Sequence, residues 1–348
     1  MRNQPCGAVV YGIDLGKTCF HVVGRDAAGH VMQRCKFTRA TIFTFFGNAS
    51  AALIGMEACP GSQWLARKLQ MLGHTVKIMP AQFVKPYVKS NKNDTVDAEA
   101  IAEAVTRPSM RFVQVKAVEQ IDLQALHRAR DLMVSNRTQL ICQMRAFCLE
   151  HGIAMRNGAG AFKQDLVRVV EDDSNDIPPA MRKLLLDLWS HLLALEARIA
   201  ALSQEITAIA SASDVARRLT SIPGIGQLGA TAIIAAVGGG GQFKKGRDLA
   251  AWLGLTPAQY STGGKPTLLG ISKRGNPYVR RLLIHGARAC VLHLDRQRDR
   301  LGIWIGRLQA RMHINKVVVA VANKIARIAW VVLTHPGASY QRIASNAA

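Results

Sequence analysis

The chain has 348 residues, 49% hydrophobic and 20% charged, enough apolar material for two or three packed cores, which excludes a disordered or low-complexity protein. Its net charge of +22 points to a polyanionic partner. The excess is uneven: from Ser211 onward there are 20 Lys and Arg against 4 Asp and no Glu, so the C-terminal part reads as the main polyanion-binding surface.

Apolar runs at 8–14, 18–23 and 31–37, the last two separated by a turn at 26–29, predict a three-stranded meander. Runs at 52–56 and 75–79 predict two further buried strands, with a helix over 62–72 that ends before Gly73. Three hairpin strands followed by strand-helix-strand units predict a mixed α/β sheet of the ribonuclease H type. Beyond Pro108 the pattern changes to long helices over 123–150 and 178–209. The second carries Leu or Ile at 185, 188, 192, 195, 199, 202, 206 and 209, a seam alternating in steps of three and four that marks a coiled coil. Such a seam can pair with a neighbour in the same chain or with another subunit. Ser211-Ala-Ser213 reads as a linker into a last region of short helices with Gly-rich breaks at 238–241 and 261–264. The expected domains are therefore 1–110, 111–210 and 211–348. The apolar segment 317–333 carries Lys324 and Arg327, which predicts a packed amphipathic helix and no membrane partner. The start of the chain lacks the apolar core of a signal peptide. Seven cysteines with no Cys-x-x-Cys pair fit buried thiols in a reducing cytoplasm better than disulfides or a zinc site.

Four carboxylates stand out against this basic background. Asp14 and Glu57 each end a predicted buried strand, and Asp94 and Asp97 sit three apart at the start of a predicted helix. Together they can surround hard divalent ions at a site working on phosphodiesters. A carboxylate at the Glu57 position without a cation carries a desolvation penalty. Asp94 alone is explained equally well as the cap of a helix beginning at Thr95, but capping does not account for the pair. Gly-Ile-Asp-Leu-Gly-Lys also resembles the first phosphate loop of actin-like ATPases and sugar kinases, which would want a second Asp-Gly-Gly loop; the glycine run 238–241 lacks that Asp.

In the basic part, Thr220-Ser-Ile-Pro-Gly-Ile-Gly226 before an Ala/Ile-rich helix reads as a helix-hairpin-helix, with Gly224 and Gly226 letting backbone N–H groups approach a phosphate. The competing reading is a tight turn between core helices. Downstream, Tyr260-Ser-Thr-Gly-Gly-Lys265, Lys273-Arg274 and Arg280-Arg281 place hydroxyls on a Gly-rich loop among cations, which sequence chemistry alone reads as a phosphate-gripping loop. The run 296–300 reads as a solvated helix facing nucleic acid. The histidines form no ligand-spaced pattern and are read as core or surface residues.

Taken together, Gly12-Ile-Asp-Leu-Gly-Lys17, Glu57-Ala-Cys-Pro-Gly61, Asn93-Asp-Thr-Val-Asp-Ala98 and the block from Ile222 through Gly270-Ile-Ser-Lys-Arg-Gly275 to Arg288 resemble the DEDD transposases of insertion-sequence-110-type elements, relatives of the Piv invertases. The resemblance implies a RuvC-like N-terminal domain, a coiled-coil middle and a C-terminal transposase domain. It implies that Asp14, Glu57, Asp94 and Asp97 bind magnesium, and that a serine, here Ser261, attacks DNA to form a phosphoserine link, with Thr262 beside the glycine as the alternative nucleophile. It further implies DNA and a structured guide RNA as partners, and a homo-oligomer, dimer or tetramer, that joins the acidic part of one chain with the serine part of another. A metal-dependent nuclease or junction resolvase, a kinase-like nucleotide hydrolase and a non-catalytic nucleic-acid clamp are the competing functions.

Overall fold

A computed structural model describes residues 4–89, 93–297 and 299–342. The chain forms two compact units, Met1–Ala117 and Val118–Ala348.

The first unit contains β1 (Val10–Leu15), β2 (Cys19–Arg25), β3 (Val31–Thr38), α1 (Thr41–Gly47), β4 (Leu53–Glu57), α2 (Ser62–Met71), β5 (Thr75–Met79), α3 (Ala81–Val84) and α4 (Asp94–Ala104). The sheet order is β3-β2-β1-β4-β5, with the meander antiparallel and β1, β4 and β5 parallel, the arrangement expected of a ribonuclease-H-type sheet. Alternation along β1 decides which residues face which layer. Tyr11 and Ile13 are buried in the core formed with α1 and α2, where Tyr11 meets Phe45 and Phe46 edge to face. Gly12 and Asp14 lie on the opposite face, the one α4 covers.

The second unit contains α5 (Val118–Glu150), α6 (Ala159–Glu171), α7 (Pro179–Ala212), α8 (Asp214–Thr220), α9 (Gln227–Val237), α10 (Gly246–Trp252), β6 (Pro257–Thr262), β7 (Lys265–Ile271), α11 (Pro277–His293), α12 (Arg300–Gln309) and α13 (Ile314–Thr334). The leucine seam of α7 is largely buried within the chain. Leu185 and Leu192 pack with Ile141, Met144 and Cys148 of α5 and with Phe162 and Leu166 of α6. The apolar face of α13, from Val317 through Val321 and Ile325 to Val332, is the centre of the last core. By length and composition that helix could cross a membrane; half of its apolar window is buried here.

Three local expectations are corrected. Ser211-Ala-Ser213 is not a linker: α7 runs to Ala212, and Ser213, in extended conformation, caps α8 by accepting from the Ala216 N–H. The hydroxyls Ser261 and Thr262 lie on a strand, not a flexible loop. Gly263 and Gly264 take φ of 54° and 76°, the paired left-handed conformation that closes a two-residue hairpin between β6 and β7. The run 296–300 is not a solvated helix either; Arg298 lies outside the described residues. The Arg296 guanidinium donates to the carbonyls of Val291 and Leu294 at the end of α11, and buried Asp299 caps α12 through the Leu301 and Gly302 N–H groups.

A buried polar link ties α5, α9 and α11 together. Thr231 donates its hydroxyl to Gln227 O (2.8 Å), so it accepts from His127 Nε2 (3.0 Å), and in a neutral ring His127 Nδ1 then accepts from the Tyr278 hydroxyl (3.0 Å). The imidazole is neutral in this network. Burial, and secondarily the Arg130 charge, hold its pKa down at about 4. Below its unfolded value near 6.5 the unfolded chain takes up a proton that the folded one refuses, so stability falls as pH drops from 6.5 towards 4. The expected loss is about 1.4 kcal/mol per pH unit in that window. Urea melts of wild type and His127→Gln at pH 7 and pH 5 measure it: the wild type should lose more stability on acidification than the variant, and equal losses would remove His127 as the cause.

Candidate active site

Two glycines determine how α4 approaches the sheet. Gly12 of β1 pairs in register with Gly55 of β4. A Cβ on Gly12 would overlap the Ala98 carbonyl and the Ala102 backbone nitrogen and sit 2.8 Å from Ala102 Cβ; one on Gly55 would sit 2.7 Å from Val105 Cβ. The absence of side chains there lets α4 lie directly on the strands, its Ala98 and Ala102 fully or nearly buried. Arg25 of β2 fastens the helix from the side, donating to Glu99 O (3.2 Å) and pairing with the Glu99 and Glu103 carboxylates at 3.5 and 3.7 Å.

This docking carries the first turn of α4, with Asp94 and Asp97, to the end of the sheet where Asp14 and Glu57 emerge. The helix cap is Asn93, whose side chain accepts from Thr95 N. Asp94 is therefore the first helical residue, and the alternative that it serves as the cap is corrected. Glu57 follows Met56, the partner of Ile13, and so falls beside Asp14. Burial first, then the charges of Asp14 and Asp97, push the Glu57 carboxyl above the usual carboxylate range. Burial and the charges of Asp14 and Glu57 push the Cys59 thiol up likewise.

His21 is a member of the site that the sequence reading overlooked. It pairs directly with Asp14 across the β1–β2 hairpin, its Nδ1 lies 3.4 Å from Asp94, and ligand atoms of Asp14, His21 and Asp94 all fall within 4.8 Å of one another. The signal was in the hairpin: a turn centred on Gly16-Lys17-Thr18 sets positions 14 and 21 opposite each other. A set of carboxylate oxygens in which burial first, and then mutual repulsion, disfavours the charge of one member is a donor set that a hard divalent cation would relieve.

The candidate residues of the second unit divide into exposed and internally engaged groups. Ser261, Thr262, Lys265 and Lys273 are exposed, and Gln259 donates its amide to Ser261 Oγ at 2.7 Å. Lys273 adopts φ of 54°, and Arg274 packs its backbone against Gly254. Arg280 donates to Leu253 O and Arg274 O, while Arg281 pairs with Asp131 and lies over the Tyr278 ring. Gly224, with φ of 85°, touches Gly286 of α11: a Cβ there would be 2.8 Å from Gly286 O. Its glycine requirement is thus met by packing, whereas Gly226, exposed at the start of α9, has open space around it.

Comparison with known proteins finds two matched regions in the chain. Residues 11–152 match the DEDD transposase domain of IS110 elements, and residues 216–301 match the family described as "Transposase IS116/IS110/IS902 family". The chain is 43% identical over 323 residues to the "Transposase for insertion sequence element IS1328" of Yersinia enterocolitica, covering 93% of this chain and 96% of that one. It is 45% identical over 324 residues to a "Probable family 20 transposase" of Pseudomonas aeruginosa, with the same coverages. It is 41% identical over 325 residues to the "Transposase for insertion sequence element IS1111A" of Coxiella burnetii, covering 93% and 89%. The chain belongs to the IS116/IS110/IS902 family of transposases. It is a DNA-cleaving and DNA-joining enzyme, and the DEDD domain implies use of a divalent metal. In this transposase the first matched region encloses Asp14, Glu57, Asp94 and Asp97, and the second encloses Ser261 and the α8–α9 turn.

The crowding of charge around Glu57 makes a thermal prediction. In chelator, Glu57→Gln should melt higher than wild type because it removes one of the mutually repelling carboxylates. Magnesium should raise the wild-type midpoint and leave the variant's nearly unmoved. Gly12→Ala should lose about 1–3 kcal/mol from overpacking and lose the magnesium response with it. A variant that keeps the full response would show that α4 docking does not set the site.

Proposed function

We propose that this transposase cuts and rejoins insertion-element ends and target DNA through a covalent serine intermediate, within an oligomer directed by an element-encoded guide RNA. The observation that carries the reading is the gathering of Asp14, Glu57, Asp94 and Asp97 at one end of a sheet inside the matched DEDD region.

Those four carboxylates would hold magnesium, with His21 orienting Asp94 through Nδ1. Bound there, the ion supplies charge neutralisation for the phosphodiester and its leaving oxygen. Ser261 is the nucleophile: Oγ forms a new ester bond to phosphorus as one bridging P–O bond breaks and the freed deoxyribose oxygen takes up a proton. Attack by the hydroxyl of the exchanged strand on the same phosphorus returns Ser261 to its free form. The Gln259 amide donates to Oγ, a bond that does not use the hydroxyl proton and so leaves it available for removal. Lys265, paired with Thr262 at the hairpin end, would offset phosphate charge.

The α8–turn–α9 element, with Gly226 open at a helix start, would grip backbone phosphate as a helix-hairpin-helix. Subunit pairing is assigned to α7, where Leu186 and Leu193, seven apart, stay exposed beside the buried seam. Base selection is delegated to the guide RNA, so the protein's own contacts need not read sequence.

The test uses labelled element-junction DNA, magnesium and the element's flanking RNA, with products separated after denaturation. Label should travel with the protein in wild type and Thr262→Ala and be absent in Ser261→Ala and Asp14→Ala. Cleavage without an adduct, lost only in Asp14→Ala, would instead assign a metal-dependent nuclease or junction resolvase in which water attacks.

A further inference from the structure

The arginines that a reading of the sequence selects for nucleic acid are partly committed to the fold. Arg280 serves backbone carbonyls, Arg281 serves Asp131, and Arg296 closes α11. Further positive charge lies in a groove of about 810 Å³ between α10, α12 and α13.

Lys245, Arg247, Lys316, Lys324 and Arg327 line this groove, and no carboxylate does. Among the described residues, none of these five side-chain charges pairs with a carboxylate within 4.0 Å, although other arginines of the same unit do; the Lys245 bond to Asp248 is made by its backbone N–H. The fold brings them together from separate places. Gly246 lets the start of α10 approach α13 closely, since a Cβ there would be 2.9 Å from Arg327 O, and its two basic neighbours come with it. On α13, Lys316, Ala320, Asn323 and Arg327 repeat in steps of four, three and four, one helical face about 16 Å long at 1.5 Å per residue.

The floor is rigid. Asn323 donates to Leu255 O and Trp330 Nε1 to Phe243 O, each at 3.2 Å. Lys324 Nζ sits 4.1 Å over the Trp304 ring. Burial and the neighbouring Arg327 push the Lys324 ammonium below the usual lysine range, so it is a charge that an incoming anion would relieve.

The groove also adjoins the root of the serine hairpin. Pro257 and Ile271, which pair at the base of β6 and β7, are part of its wall. Ser261 lies four residues further along β6, about 13 Å at 3.3 Å per residue, or about four base pairs of duplex.

We propose that this groove seats the DNA sugar-phosphate backbone flanking the phosphodiester that the Ser261 hairpin engages, a placement that rests on the serine reading above. The complementarity is that of an unpaired cationic stripe with a polyanion, and it is independent of base sequence. The enzyme thereby has a grip on DNA separate from whatever selects the site.

The test is equilibrium binding of full-length protein to fluorescent element-junction duplex over roughly 50–200 mM salt, with a double-stranded RNA of the same sequence in parallel. It is done in the Ser261→Ala/Thr262→Ala background, where neither hydroxyl can capture DNA covalently. Lys316→Ala/Arg327→Ala and Lys245→Ala/Arg247→Ala remove exposed side chains, and circular dichroism confirms that each variant is folded. Each pair should make the slope of log affinity against log salt shallower by about 1.8 for DNA, with a loss of roughly tenfold or more at low salt, and leave RNA binding unchanged. A changed DNA slope supports the groove whichever group proves to be the nucleophile. An unchanged DNA slope, or a loss confined to RNA, overturns it even if the serine adduct forms.

Discussion

The close contact between α4 and the paired glycines Gly12 and Gly55 is the constraint on which the acidic site depends. A helix normally stands off a sheet by the length of the side chains between them. Here the strands offer none at two adjacent positions, and the helix answers with Ala98 and Ala102. Asp94 lies about one turn before Ala98 and Asp97 just over one turn before Ala102, so the depth of docking sets how near they come to Asp14 and Glu57. Arg25 fixes the rotation that the glycines leave open. The repulsion felt by Glu57 is the cost of that proximity, and a bound cation would offset it.

In the second unit the same question, what is already satisfied and what is left over, separates structural from available charge. Arg280, Arg281 and Arg296 have their hydrogen bonds met by carbonyls or a carboxylate of the chain. Lys316, Arg327 and their neighbours in the groove do not. A hairpin exposed on both strands, with Ser261 near its turn, projects from the margin of that groove. Two-stranded hairpins have little stability of their own, and one this exposed is suited to meeting a ligand rather than completing a core.

Much of the first unit could be read from the chain. The apolar runs at 8–14, 18–23 and 31–37, the turn at 26–29 and the two later apolar runs were enough to predict the sheet, and the acids at strand and helix ends marked one edge of it. His21 was not legible as a pattern because its partner is defined by strand register, not by spacing among ligands. In the second unit, the density of charge in 296–300 suggested a surface helix, but Arg296 lies where α11 ends with unsatisfied carbonyls, and those claim it. The groove was invisible for the opposite reason: Lys245 and Lys316 are 71 positions apart in sequence, and only the approach allowed by Gly246 joins them.

Whether α4 docking makes Asp14, Glu57, Asp94 and Asp97 a single metal-binding centre is tested by crystals grown with manganese and measured at its absorption edge. Anomalous density within coordination distance of Asp14 and at least two of the other three carboxylates is the predicted result, and it should vanish in Asp14→Asn. Density confined to other parts of the molecule, in protein that cleaves DNA with manganese, would contradict the account.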